Sequence, residues 1–356
     1  GRLSPDWFWQ IQDCKVPTIF DAAHRKGLTT HAVMWPVTAQ ADIDWLLPEV
    51  WDLQKWEDPA IIYKKNCSPQ LFDKYFEKHR FKLGWHPKPE LDEFGVSVAE
   101  DVIRNEKPDL AMIHVSAVDI ARHGNGMFGP AIDDAIRKVD SWLCRLEQAV
   151  SESGRFDETN FIIVSDHGHL KVDKQVNLNV LFKEEGLIQT DDHGELVSYQ
   201  AYCHSSGLSA QILLADAADT EVRKKVEAIL EYAKDTEAFG IKAIYTRREA
   251  EEKFQLSGPF EYVVEGVGGV AFAAKWDGRV VINEEDPDYD YVKTSHGHRP
   301  HLGPQPVLLA KGPDFKENVT IRECSILDEV PTFAAVLGVE MEGLEGRCLH
   351  ELLVRP

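Results

Sequence analysis

The chain has 356 residues, of which 43% are apolar, and a formal net charge of −21. That length allows a large core and two or three domains. The charge argues against a nucleic-acid polymer or an anionic membrane surface as partner, since both need a basic face. An anionic substrate would need positive charge supplied locally, and bound metal ions can supply it.

No apolar run reaches the length of about eighteen residues that a membrane-spanning helix needs, and the start, Gly1 to Phe8, reads as neither a signal peptide nor a targeting helix. Residues 52–90, where lysines and arginines are interleaved with aromatics, are expected to form a solvated surface segment of loop and short helix. Leu110–Val115 is a buried-type strand running into Asp119 and His123, and Asn160–Ser165 is a second one running into Asp166 and His167. Between them, Ile132, Ile136, Val139, Leu143, Leu146 and Val150 recur at helical spacing, with Pro130 near the start where a helix tolerates it.

Residues about 207–276 change character. Leu208–Leu214 reads as a strand and 220–234 as a charged amphipathic helix. A short strand (Ile241–Tyr245), a short helix (Arg247–Phe254) and two more strands follow, around Glu261–Val264 and Val270–Trp276. The last apolar run, Pro306–Ala310, follows a histidine-rich loop. Strands alternating with helices predict an α/β fold with a mostly parallel central sheet and helices on both faces. Residues 1–206 and 279–356 form its core, and 207–278 a small α+β cap insert. Six cysteines lie far apart with no CxxC pair. They read as reduced structural thiols of a cytoplasmic protein.

Three segments carry the chemistry. Asp119 and His123 are four residues apart, so a helix would turn both to one side; a capping aspartate beside an incidental histidine is the plain alternative. Asp166-His167-Gly168-His169 directly follows a buried-type strand, where a carboxylate must be paired, hydrogen-bonded or bound to metal. Its alternative is a helix N-cap with a structural histidine. Thr294-Ser295-His296-Gly297-His298-Arg299-Pro300-His301 is a histidine-rich tract of the kind that binds metal, or an exposed polar loop. In open α/β sheets, ligands bind beyond the carboxyl ends of the strands, where two of these segments fall. A set of oxygen and nitrogen donors without thiolate suits zinc, manganese or iron in a hydrolytic role. It is large enough for two ions, and a pair about 3.5–4 Å apart can clamp both oxygens of a phosphoryl displacement.

At these residues the chain resembles the alkaline phosphatase superfamily, and most closely its nucleotide pyrophosphatase/phosphodiesterase branch. The resembling motifs come in order: Asp119-x-x-x-His123 before Gly129-Pro130 and a long helix, then Ser165-Asp166-His167-Gly168, then His296-Gly297 ahead of Leu308–Pro313. The C-terminal Ile326–Thr332 before Leu337-Gly338 also fits. The resemblance implies an alkaline phosphatase-like fold and two divalent metal ions, zinc first, with manganese or iron as alternatives. Asp119, His123 and His296 would hold one ion, and Asp166 and His167 would share in the second. It also implies a threonine or serine nucleophile and one more aspartate on an N-terminal strand and helix, and nothing before Asp119 fits that pattern. Thr18 does not qualify, because Ala22–Gly27 after it looks like the family's later helix before a strand ending at Met34-Trp35-Pro36.

His298 and Arg299 depart from the usual continuation of the late loop. They are candidates for substrate phosphate, with an ordinary loop role as the alternative. His169 reads as structural. The implied activity is hydrolysis of phosphodiester or pyrophosphate bonds in nucleotide-like small molecules through a covalent intermediate. A phosphomonoesterase and a phosphonoacetate-type hydrolase are its rivals. A metal-dependent phosphoglycerate mutase is disfavoured by the position of the insert. From another class comes a metal-binding pseudoenzyme or interaction fragment. The chain by itself is expected to hold one metal well, the second poorly, and to turn over little.

Overall fold

The computed structural model describes residues 8–50, 58–83 and 88–355. The reading of residues 1–7 as no leader lies outside the described residues, as do 52–57 and 84–87 of the segment expected at the surface. The described chain divides into two compact units. The first comprises residues 1–120, 133–164 and 307–356, and the second residues 121–132 and 165–306.

In the first unit, the helix Ile19–Arg25 begins with a capping box. Asp21 accepts from the Thr18 amide at 2.6 Å, and Thr18 Oγ1 accepts from the Asp21 amide at 3.4 Å. Thr18 is thus occupied in satisfying orphan helix-end donors. The helix leads into the strand Thr30–Val33, which pairs in parallel with Trp45–Leu47 on one side and Leu110–Ile113 on the other. All four residues of the middle strand are buried, as a run covered on both faces should be. The long helix Lys88–Glu106 turns Phe94, Val98, Ala99 and Val102 into the same core. The strand Phe161–Val164 pairs antiparallel with Leu308–Lys311. This is an α/β fold with a parallel sheet.

One expectation is overturned here. Residues 58–83 are not a solvated surface segment: Ile62, Tyr63, Leu71, Phe72, Tyr75 and Phe76 are buried. Exposed pairs (Lys64-Lys65, Asp73-Lys74, Glu77-Lys78) alternate with buried pairs (Ile62-Tyr63, Phe72 beside Leu71, Tyr75-Phe76). That period near four is a helical stripe. The Phe76 ring packs against Phe72 at 4.7 Å, Tyr63 at 5.3 Å and Phe94 at 5.6 Å between centroids. Such rings contribute area burial plus edge and stacking contacts, and the lysines lie on the opposite side.

The second unit is built on an antiparallel sheet whose strand order is Ile241–Thr246, Phe260–Gly266, Ser209–Leu214, Ala201–Ser205. Burial alternates strictly along Ser209–Leu214, which is the mark of a sheet with one face on a core. That core is completed by Val222, Val226, Ile229 and Leu230 of the helix Thr220–Asp235. The α+β elements anticipated within 207–278 are therefore present. The strand Ala201–Ser205 joins their sheet from just upstream of that range.

Two shorter pairings position the histidines. Thr294–Ser295 pairs antiparallel with Leu170–Lys171, Thr294 opposite Lys171 and Ser295 opposite Leu170. The Lys293 amide donates to the His123 carbonyl at 2.8 Å. Three segments far apart in sequence are thus tied backbone to backbone. Among the described residues, no helix is long and apolar enough to cross a membrane.

Candidate metal centre

The helix Ala117–Asn125 starts just after the strand Leu110–Ile113. Its entry is fixed by buried Asp92, which accepts from the Ser116 amide at 3.0 Å and the Ser116 hydroxyl at 3.3 Å. Asp119 and His123 lie one turn apart on this helix, with ligand atoms within 4.8 Å of each other. The same-side reading of this pair therefore holds.

His123 is locked by its other nitrogen. Its Nδ1 donates to the Thr294 carbonyl at 2.6 Å. A carbonyl oxygen can only accept, so Nδ1 carries the proton and in the neutral ring the lone pair sits on Nε2. An imidazole held by a backbone carbonyl in this way is the usual outer support of a metal-binding histidine.

His167 and His296 stack, with ring centroids 3.7 Å apart and planes inclined by 22°. Each is followed by a glycine that the packing requires. A Cβ on Gly168 would lie 2.1 Å from the Pro304 carbonyl oxygen, and one on Gly297 would lie 1.9 Å from that of Ser206. Gly297 also has φ +89°, a region that costs other residues strain. Asp166 is more exposed. It accepts from the His167 amide at 3.0 Å and lies 3.2 Å from His167 Nε2.

His169 belongs to the same assembly. It is 2% exposed, its Nδ1 lies 3.0 Å from the Thr294 hydroxyl, and its ring centroid is 4.9 Å from that of His123. The sequence reading of His169 as structural did not anticipate its place beside His123. One signal was available: His167 and His169 are two residues apart, and their ring centroids lie 5.5 Å from each other. Thr294 was quoted only as the start of the histidine-rich tract, and its bond to His123 spans 171 positions.

The two substrate candidates differ in their surroundings. His298 is part-buried, and burial, then the neighbouring His167 and His169, hold its imidazole below the usual range. Arg299 donates from a terminal nitrogen to Glu265 at 2.9 Å and lies over the rings of Phe254 and Tyr245, 5.4 and 5.9 Å from their centroids. Its charge is engaged by a carboxylate whose side chain is only 5% exposed.

Four imidazoles with carboxylates beside them, one ring held by a carbonyl and none accompanied by a thiolate, fit a divalent metal of the zinc, manganese or iron type. The arrangement is a candidate metal site.

Residues 2–299 match the family described as type I phosphodiesterase / nucleotide pyrophosphatase. The chain belongs to this family. It is a branch of the alkaline phosphatase superfamily, as the ordered motifs implied. Two ectonucleotide pyrophosphatase/phosphodiesterases of Caenorhabditis elegans are similar to it. One is 22% identical over 286 residues, covering 78% of this chain and 31% of the relative. The other is 22% identical over 244 residues, covering 66% and 25%. The chain thus spans under a third of the length of these curated relatives.

Among solved structures, ectonucleotide pyrophosphatase/phosphodiesterase 5 of mouse and of human superpose with TM-scores of 0.62 and 0.64 at 17% identity, each over 95% of this chain and 75% of theirs. At that identity the likeness is one of fold, and it agrees with the α/β architecture and parallel sheet of this family member. A further structure of the mouse protein is an inactive threonine-to-alanine variant in complex with AMP; its TM-score is also 0.62, at the same coverage and identity.

Proposed function

We propose that this chain is the metal-holding portion of a hydrolase that cleaves phosphodiester or pyrophosphate bonds in nucleotide-like small molecules. The observation that carries the reading is the convergence of His123, His167 and His296 from three separated segments, with Asp119 on the helix of His123 and Asp166 against His167. Two divalent ions, zinc first, are the proposed cofactors. An ion bound there would supply Lewis-acid stabilisation of charge on the phosphoryl oxygens.

The protein's own groups do the rest. Thr294 holds the proton of His123 on Nδ1, which keeps the lone pair of the neutral ring on Nε2. The close backbone contacts at Gly168 and Gly297 fix the loops that carry His167 and His296. The displacement itself needs a hydroxyl oxygen that bonds to phosphorus as the bond to the leaving oxygen breaks, and a water that then cleaves the ester formed. A threonine is the proposed nucleophile by analogy with the inactive variant of the mouse neighbour. None of the 356 residues supplies it in the family's motif. AMP, present in that neighbour's complex, is the kind of product such a site would release.

The test is hydrolysis of an aryl phosphodiester, an aryl phosphomonoester and a phosphonate by the zinc- or manganese-loaded full-length protein, with a nucleophile-bearing segment present. Faster cleavage of the diester is expected. Preference for the monoester or the phosphonate would select the rival hydrolases. Zinc and AMP binding by that full-length protein without any turnover would favour a binding role and overturn the reading.

A further inference from the structure

We infer that His169 is a ligand of the same ion as His123, and that Thr294 is the shared residue positioning both rings. The inference rests on the reading of the cluster as a metal centre and deepens it by enlarging the donor set.

Three observations carry it. The first is distance. With a metal–nitrogen bond of about 2.0–2.1 Å and a ring centre about 1.2 Å beyond the nitrogen, two imidazoles on one tetrahedral ion have centres about 5.3 Å apart. The centroids of His123 and His169 are 4.9 Å apart with planes at 66°, and ligand atoms of the two lie within 4.8 Å. Their rings are inclined like fins and do not stack like a packed pair. The His296 centroid stands 5.2 and 5.4 Å from these two, in reach of the same centre, although its donor is also grouped with that of His167.

The second is orientation. One residue touches the Nδ1 of each ring: the Thr294 carbonyl oxygen accepts from His123 at 2.6 Å, and the Thr294 hydroxyl lies 3.0 Å from Nδ1 of His169. Both rings are therefore held by the same edge, and both present Nε2 away from Thr294. The carbonyl fixes the tautomer of His123, and the two contacts together set the direction of both rings, the outer support that metal-binding histidines have.

The third is burial. Thr294 is 0% and His169 2% exposed, so this clamp sits in the interior, pinned by the pairing of Thr294–Ser295 with Leu170–Lys171. An imidazole placed so deep, beside other imidazoles, is poorly suited to be a solvated loop residue.

The experiment measures zinc affinity of the whole chain by competition with a chromophoric chelator, and the visible spectrum of the cobalt(II) form. His169→Ala is expected to weaken zinc by more than about 100-fold, beyond what losing an outer partner costs, and to change the cobalt spectrum. Thr294→Val keeps the carbonyl to His123 but removes the hydroxyl; a loss of about 10-fold or more is expected, with Thr294→Ser restoring it. If His169→Ala does not fold, by circular dichroism of the metal-free chain, the valine and serine pair decides. Wild-type affinity and an unchanged cobalt spectrum in the folded variants would overturn the role of His169 and leave the metal centre standing. A wild-type chain that binds neither zinc nor cobalt would overturn the metal centre, and this inference with it.

Discussion

The imidazoles of His167 and His296 lie face to face, 3.7 Å between centroids, although 129 positions separate them in the chain. Their ligand atoms lie within 4.8 Å of one another, close enough for the two imidazoles to serve one candidate metal centre. Replacing His296 by alanine should therefore lower the zinc retained after gel filtration, read as metal per chain. It should also abolish the rise in melting temperature that zinc gives the wild type. At zinc one hundred times its dissociation constant that rise corresponds to about 2.7 kcal/mol. A variant that is stabilised by zinc as strongly as the parent would remove His296 from the centre.

The loop carrying His296 depends on its next residue. Gly297 has φ +89° and no space for a Cβ beside the Ser206 carbonyl. Gly297→Ala should cost about 1–3 kcal/mol from the backbone alone. Because the strain falls on the ligand loop, zinc affinity should drop together with the melting temperature of the zinc-free chain. Loss of stability with affinity intact would show that the loop relaxes away from the histidines.

Much of the site was legible because ligand types cluster locally. Asp119 and His123 share a helix turn, Asp166 and His167 are adjacent, and His296 sits in a histidine-rich tract. The two roles that escaped depend on tertiary pairing. Thr294 acts on His123 through its backbone carbonyl, which no side-chain pattern announces. His169 stands beside His123 where Leu170–Lys171 pairs with Thr294–Ser295. In the fold, the strand-and-helix alternation carried the parallel sheet, whereas the segment 58–83 was misread. Its charged pairs recur between buried pairs at nearly helical spacing, and weighing charge ahead of periodicity hid the stripe that contains Phe72 and Phe76.

Acid should find a weak point in the first unit. Burial raises the pKa of Glu93, but hydrogen bonds from Arg145 and Trp142, then the Arg145 charge and Lys82, outweigh it and hold the carboxyl down at about 2. A carboxylate depressed when folded stabilises fully above its unfolded pKa of about 4.5. That contribution is lost as pH falls from there through about 2, because the unfolded chain takes up the proton first. Glu93→Gln should cost about 2 kcal/mol in urea titrations at pH 7, on the scale of hydrogen bonds to charged groups. The gap from the parent should shrink between pH 4.5 and 2. A gap constant with pH would assign the loss to packing around Trp142.

The engagement of Arg299 leads to a prediction that separates its two readings. Its guanidinium pairs with Glu265, which is also 3.2 Å from Lys242 and nearly sealed from solvent. Removing the arginine strands part of a buried negative charge, with Lys242 left to offset it, and removes the guanidinium from the faces of Phe254 and Tyr245. Breaking a buried pair costs up to about 3–5 kcal/mol, and the remaining lysine with the partly exposed arginine lowers this to about 1–3. Arg299→Ala should thus lower stability by that amount, and Glu265→Gln in the same chain should return part of it by neutralising the stranded carboxylate. Binding of AMP to the zinc-loaded double variant, by calorimetry, then isolates any contact with phosphate. Parental affinity there would make Arg299 a fastener of the second unit, whereas a loss of tenfold or more that Glu265→Gln does not relieve would make it a phosphate ligand.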